Sequence, residues 1–180
     1  MTAGQTLQPI RVGVIGAGNM GRNHLRVLAS MPAFSLTALY EPDVVIARQQ
    51  ADLYGITACE SLEQLCADVD AVHVVSPSFL HAEHACMAAA AGCHLLVEKP
   101  IALTLEDADA IIRAAKRNNR VLCVGHVERY NPAIITLRDI VAKEDVISVD
   151  FQRLSPYDGR IGDADVVYDL MIHDLDVLNW

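Results

Sequence analysis

Ile10-Arg11-Val12-Gly13-Val14-Ile15-Gly16-Ala17-Gly18-Asn19-Met20-Gly21 is the stretch on which the fold turns. Its first six residues are rich in branched side chains and have the length of a buried strand. Three glycines follow at the spacing G-x-G-x-x-G, and residues 22–31 continue as a helix with Leu25, Leu28 and Ala29 on one face, ended by Pro32. Each glycine has a reason: Gly16 for a tight turn, Gly18 so that backbone can approach a pyrophosphate, Gly21 for close packing of helix on strand. Free N–H groups and the helix dipole favour anions at such a helix start. Asn19 and Met20 complete the turn and join the three glycines as candidates for holding a dinucleotide cofactor.

Working outward, residues 34–40 form a second strand that ends at Glu41, about 20 residues past the last glycine, where the dinucleotide fingerprint places an acid. A carboxylate there accepts from ribose hydroxyls and repels a 2′-phosphate, which favours NAD over NADP. Asp43 is the weaker substitute, because Pro42 has already turned the chain, and Arg48 in the next helix is the residue that would receive a 2′-phosphate.

Residues 43–54 read as that helix, with Gly55 as its C-cap. A short strand at 56–59 follows, and Ser61 with Gln64 three residues on is a capping box opening a small helix to Ala67. The strand at 70–75 carries His73 inside an apolar run, where a hydrogen-bonded core histidine is expected. Ser76 and Pro77, at its carboxyl end, are placed to line the dinucleotide. An alanine-rich helix at 78–91 has His81 in its first turn, near the cofactor, and His84 further along. The run His94-Leu95-Leu96-Val97 is another buried strand, ending in Glu98-Lys99-Pro100. Ligands of open parallel sheets bind outside the carboxyl ends of the strands, so Lys99 is a catalytic candidate and Glu98 a cofactor-side one. Thr104, with Asp107 at the box position, caps a helix to about Asn118 whose apolar face is Ala108, Ile111, Ile112 and Ala115. The strand at 121–125 is the sixth.

Six strands with helices between them predict an α/β fold, a Rossmann-type doubly wound parallel sheet over residues 10–127, preceded by a flexible N-terminus at 1–9. From 128 the pattern changes. Pro132 starts a helix, and residues 146–154 alternate, with Ile147, Val149 and Phe151 on one face, as in a strand with one face packed. This predicts the beginning of a second, α+β substrate domain at 128–180. Its last helix, over 166–176 and capped by Asp163 or Asp165, puts Asp169 and His173 four apart on one face that is otherwise largely apolar.

Composition narrows the function. The net charge of -9 and pI near 5.1 argue against nucleic acid and against anionic membranes as partners. No stretch is long and apolar enough to span a bilayer. The five cysteines, Cys59, Cys66, Cys86, Cys93 and Cys123, are odd in number and lack Cys-x-x-Cys spacing, which suits a reducing cytoplasm and gives no metal site.

Gly16 to Gly21, the trio Glu98-Lys99-Pro100, Gly125-His126-Val127-Glu128-Arg129-Tyr130-Asn131-Pro132, and Asp169 with His173 together resemble the Gfo/Idh/MocA oxidoreductases, the glucose-fructose oxidoreductase and inositol dehydrogenase family. The string from Arg153 to Tyr157 with 169–174 is most similar to the branch of UDP-N-acetylglucosamine 3-dehydrogenases. The resemblance implies an NAD-dependent dehydrogenase acting on a secondary hydroxyl of a sugar, nucleotide sugar or polyol. Lys99 would polarise the substrate hydroxyl, His173 would be the general base, and Asp169 would hold them in place. Arg153 and Arg160 are candidates for a substrate's phosphates, unless they pair with Asp158 or Asp163. Family members continue into a larger substrate domain and often form homo-oligomers, so a C-terminally truncated form that binds NAD without turnover is the alternative.

Overall fold

The computed structural model describes residues 8–154 and 166–180. The N-terminal flexibility, the capping by Asp163 or Asp165, and the parts proposed for Asp158 and Arg160 lie outside the described residues. The chain divides into two compact units, residues 1–124 and 125–180.

In the first unit six parallel strands, β1 (Ile10–Ile15), β2 (Phe34–Tyr40), β3 (Thr57–Cys59), β4 (Ala71–Val74), β5 (His94–Val97) and β6 (Leu122–Val124), pair in the order β3-β2-β1-β4-β5-β6. The order reverses between β1 and β4, and that is the crevice where such sheets bind ligands. Strand periodicity splits the core in two. Val12 and Val14 join Leu25 and Leu28 of α1 (Asn19–Ser30) and Ala47 and Ala51 of α2 (Val44–Tyr54). Ile15, Val72, Val74, Leu95 and Val97 meet α3 (Leu62–Ala67), α4 (His81–Ala90) and α5 (Leu105–Arg117) on the other side. Fully buried Leu25, Leu65 and Ile111 contribute about 2–3 kcal/mol each by burial. Gly13 leaves room for Leu65, whose Cδ2 would lie 2.8 Å from a Cβ at that position.

Local chemistry explains the helix boundaries. Asp43 Oδ1 accepts from the N–H groups of Val45 and Ile46, and Gly55 ends α2 in the left-handed region at φ 64°. Ser61 accepts from Gln64 N–H, but Gln64 Oε1 accepts from Glu60, one residue before the cap, so the expected box is shifted by one. Thr104 accepts from Asp107 N–H as expected. On α1 the buried stripe is Gly21, Leu25 and Leu28, and Ala29 is exposed.

The second unit holds α6 (Pro132–Val141), with Asn131 capping Ala133 N–H, then a wide turn at Val167–Met171 leading into α7 (Ile172–Asn179). Arg129 pairs with Asp176 (Nε to Oδ2, 2.8 Å), and the Arg138 guanidinium lies 4.3 Å from the centre of the Trp180 ring. The strand expected at 146–154 does not form, and Ile147 is 99% exposed. A lone alternating segment satisfies neither its backbone nor its apolar face without a neighbouring strand, and none pairs with it among the described residues. Among the described residues no helix is long and apolar enough to cross a membrane.

Candidate active site

The glycine turn is built as its spacing demands. Gly16 sits at φ 95°, and a Cβ there would come 2.8 Å from Val75 O, while one on Gly21 would lie 2.0 Å from Gly16 O. Neither position accepts a side chain. Gly18 is different: a Cβ would meet nothing within 4 Å, so its surface is open. Gly18 is also the N-cap of α1, with no side-chain hydrogen bond to the helix and no acid in the first turn. The helix start therefore presents unsatisfied N–H groups to an open space at the strand crossover. Asn19 and Met20 are exposed beside it.

Glu41, just past β2, lies across this turn. Its Oε2 accepts from Ala17 N–H at 2.8 Å and its Oε1 from Asp43 N–H at 3.1 Å. Asp43 itself is spent capping α2. Glu41 and Arg48 line one open cleft of about 690 Å³ with Tyr40, Pro42 and Val44.

At the carboxyl end of β4, Ser76 is half-buried and Pro77 exposed. The Ser76 hydroxyl meets His84 Nδ1 at 2.9 Å. His81, expected near the cofactor, is 1% exposed, with Nδ1 2.9 Å from Pro100 O and Nε2 2.9 Å from Ser76 O. The ring thus lies between two main-chain carbonyls, one following β4 and one following β5. Glu98 also points inward, 7% exposed, its Oε1 held by His24 Nε2 at 2.9 Å and its Oε2 by Lys99 N–H at 3.1 Å. With each oxygen taking one hydrogen bond from the chain, Glu98 braces the turn that carries Lys99. Burial pushes the Glu98 carboxyl up, but the His24 hydrogen bond and charge, with Lys99, outweigh it and leave it below the usual range. Lys99 is half-buried at the turn after β5.

His24 is the residue that sequence reasoning missed. Its signal was spacing: three residues after Gly21 and four before Leu28, it is a polar side chain on the buried stripe of α1. His73 is hydrogen-bonded in the core as expected, and its partner is His24.

In the second unit Asp169 lies in the wide turn and His173 in the first turn of α7, both half-buried. Arg153 Nε is paired with Asp174 Oδ1 and Oδ2 at 2.8 and 2.9 Å. Among the described residues no cluster of three His, Cys, Asp or Glu side chains is set to hold a metal.

A six-stranded Rossmann sheet with a glycine turn at its crossover defines a dinucleotide-binding oxidoreductase fold, and comparison with known proteins agrees. Residues 10–126 match the Gfo/Idh/MocA oxidoreductase family, described by its NAD-binding Rossmann fold, and the chain belongs to that family. It is 39% identical over 168 residues to UDP-N-acetylglucosamine 3-dehydrogenase of Acidithiobacillus ferrooxidans, covering 93% of this chain and 53% of that one. The solved structure of that enzyme matches with a TM-score of 0.83 at 37% identity, over 95% of this chain and 56% of the other. Inositol 2-dehydrogenase of Salmonella typhimurium is 27% identical over 182 residues, covering 95% of this chain and 54% of its own length. The chain thus spans about half the length of the curated relatives it matches.

Proposed function

We propose that the chain carries the cofactor site and the catalytic residues of an NAD-dependent dehydrogenase that oxidises a secondary hydroxyl of a sugar, nucleotide sugar or polyol. The observation that carries this reading is the open Gly18 surface at the uncapped start of α1. A pyrophosphate fits that surface because backbone N–H groups face it and no side chain fills it. Bound there, a nicotinamide supplies the hydride acceptor.

The chain's own residues supply the rest. Glu41 presents a carboxylate at the ribose position, which supports NAD over NADP, because a 2′-phosphate beside it would meet like charge. Arg48 lines the same cleft and is the residue through which NADP would be accommodated. Ser76 and Pro77 border the crossover. Lys99 provides a cation for the oxygen as it becomes an alkoxide. His173 takes the hydroxyl proton, a task suited to an imidazole, and Asp169 orients it. The substrate names of the relatives, a nucleotide sugar and a cyclic polyol, support a secondary alcohol as the reacting group. A larger substrate domain and a homo-oligomeric whole protein belong to the same proposal.

The unpaired 146–154 segment favours a second reading, an NAD-binding module that lacks turnover in this form. Absorbance at the NADH band, with NAD and a panel of UDP-sugars, inositol and simple sugars, tests the two. The dehydrogenase reading predicts NADH formation that Lys99→Ala abolishes. NAD binding with no NADH from any member of the panel supports the module instead.

A further inference from the structure

Behind the Lys99 turn, a buried chain of polar side chains runs through the face of the sheet that α1 covers. His73 Nδ1 on β4 lies 3.0 Å from His24 Nδ1 on α1, His24 Nε2 lies 2.9 Å from Glu98 Oε1, and Glu98 Oε2 accepts from Lys99 N–H at 3.1 Å. The two imidazoles meet edge to face, 5.2 Å between centres. The side chains of His24 and Glu98 are 14% and 9% exposed. Three polar groups at a position where α1 otherwise presents Gly21, Leu25 and Leu28 carry a desolvation cost that leucines would avoid.

Hydrogen-bond arithmetic fixes how the chain is wired. An ionised Glu98 only accepts, so His24 Nε2 donates in every charge state. Two Nδ1 atoms at 3.0 Å share one proton. With His24 neutral, His73 donates it. With His24 charged, His73 accepts. Both rings charged would set N–H against N–H, and burial first, then the His24 ring, push His73 down to about 4, keeping it neutral. Glu98 is thereby held from α1 through one oxygen, which leaves the other for the main chain of Lys99.

We propose that His24 is a positioning residue for Lys99: the chain His73–His24–Glu98 ties the helix that follows the glycine turn to the backbone of the lysine. The role rests on the dehydrogenase reading of Lys99, but the wiring is testable without it. Because α1 also starts at the cofactor surface, one helix sets the place of both the phosphates and the catalytic cation.

Nitrogen-15 NMR of the histidines in the 180-residue chain reads the first link. Proton on His24 Nε2 at neutral pH is expected, and an unprotonated Nε2 overturns the proposal. Amide exchange reads the last link. His24→Leu should speed exchange of the Lys99 amide by about tenfold or more, while the Val75 amide, bonded to Ile15 O, holds its rate. His24→Gln, whose amide can donate to Glu98 as Nε2 does, should stay within about threefold of the parent. Unchanged exchange in His24→Leu, or equal acceleration in both variants, overturns the proposal. If His24→Leu fails to fold, His24→Gln alone decides: parent-like exchange supports the chain, and a loss of about tenfold contradicts it. On a substrate that gives NADH, His24→Leu should lower kcat while NAD affinity stays within about threefold, and His24→Gln should restore kcat. Absence of turnover in the parent would count against the dehydrogenase reading alone, because the NMR and exchange results stand apart from it.

Discussion

The two units of the chain hold together by different means. Residues 8–124 bury a sheet between two apolar cores, and the polar groups inside, His24, His73, His81 and Glu98, are hydrogen-bonded to one another or to backbone. Residues 125–154 and 166–180 keep large apolar side chains in solvent, among them Ile147, Leu154 and Leu178, and are joined by charged contacts: Arg129 with Asp176, Arg153 with Asp174, Arg138 against Trp180. Apolar burial is the dominant favourable term in folding, whereas half-exposed ion pairs contribute little. The difference teaches that the nucleotide-binding unit is finished as a packing problem, while the second unit leaves apolar surface that its described residues do not cover.

Core truncation is the strongest way to break that contrast. Leu65→Ala should cost about 2–5 kcal/mol in urea unfolding, because its side chain fills the space over Gly13. Ile147→Ala in the second unit should stay within about 0.5 kcal/mol. Similar costs at the two positions would erase the distinction.

Acid sharpens it next. Folded His73 stays neutral down to about 4, whereas an unfolded histidine binds a proton near 6.5. Between those values the unfolded chain holds more protons, so stability falls as pH falls through the window, by about 3 kcal/mol in all. His73→Gln should flatten that limb of the pH–stability curve. An unaltered limb would show that another group titrates there.

Smaller effects belong to the second unit. Asp176→Asn, which leaves Arg129 without its carboxylate, should cost about 1 kcal/mol and lose part of that cost in high salt. Trp180→Leu should cost about 0.5–1 kcal/mol through the Arg138 contact.

Most of the first unit was legible in the sequence because its signals are local. A strand run, three glycines at fixed offsets and capping residues such as Asp43, Ser61 and Thr104 act within a few residues, and the structure meets them within a residue or two. What was not legible depends on partners distant in sequence. The direction in which Glu98 points is set by His24, 74 residues away, and His81 lies between the carbonyls of Pro100 and Ser76, 19 and five residues away. The 146–154 segment failed as a strand for the same reason: alternation marks a face that can pack, but pairing needs a neighbour. Asp169 and His173 stood out as polar residues four apart on an otherwise largely apolar helix face, and the roles given them come from the resemblance.

Equilibrium binding of NAD to the 180-residue chain, beside Gly18→Leu, tests the central claim most directly. The open surface at Gly18 predicts that the variant keeps the parent's melting temperature, since a Cβ there meets nothing within 4 Å, yet loses NAD affinity by about tenfold or more. No binding by the parent, or equal binding by both proteins, would contradict the assignment of the glycine turn as the cofactor site.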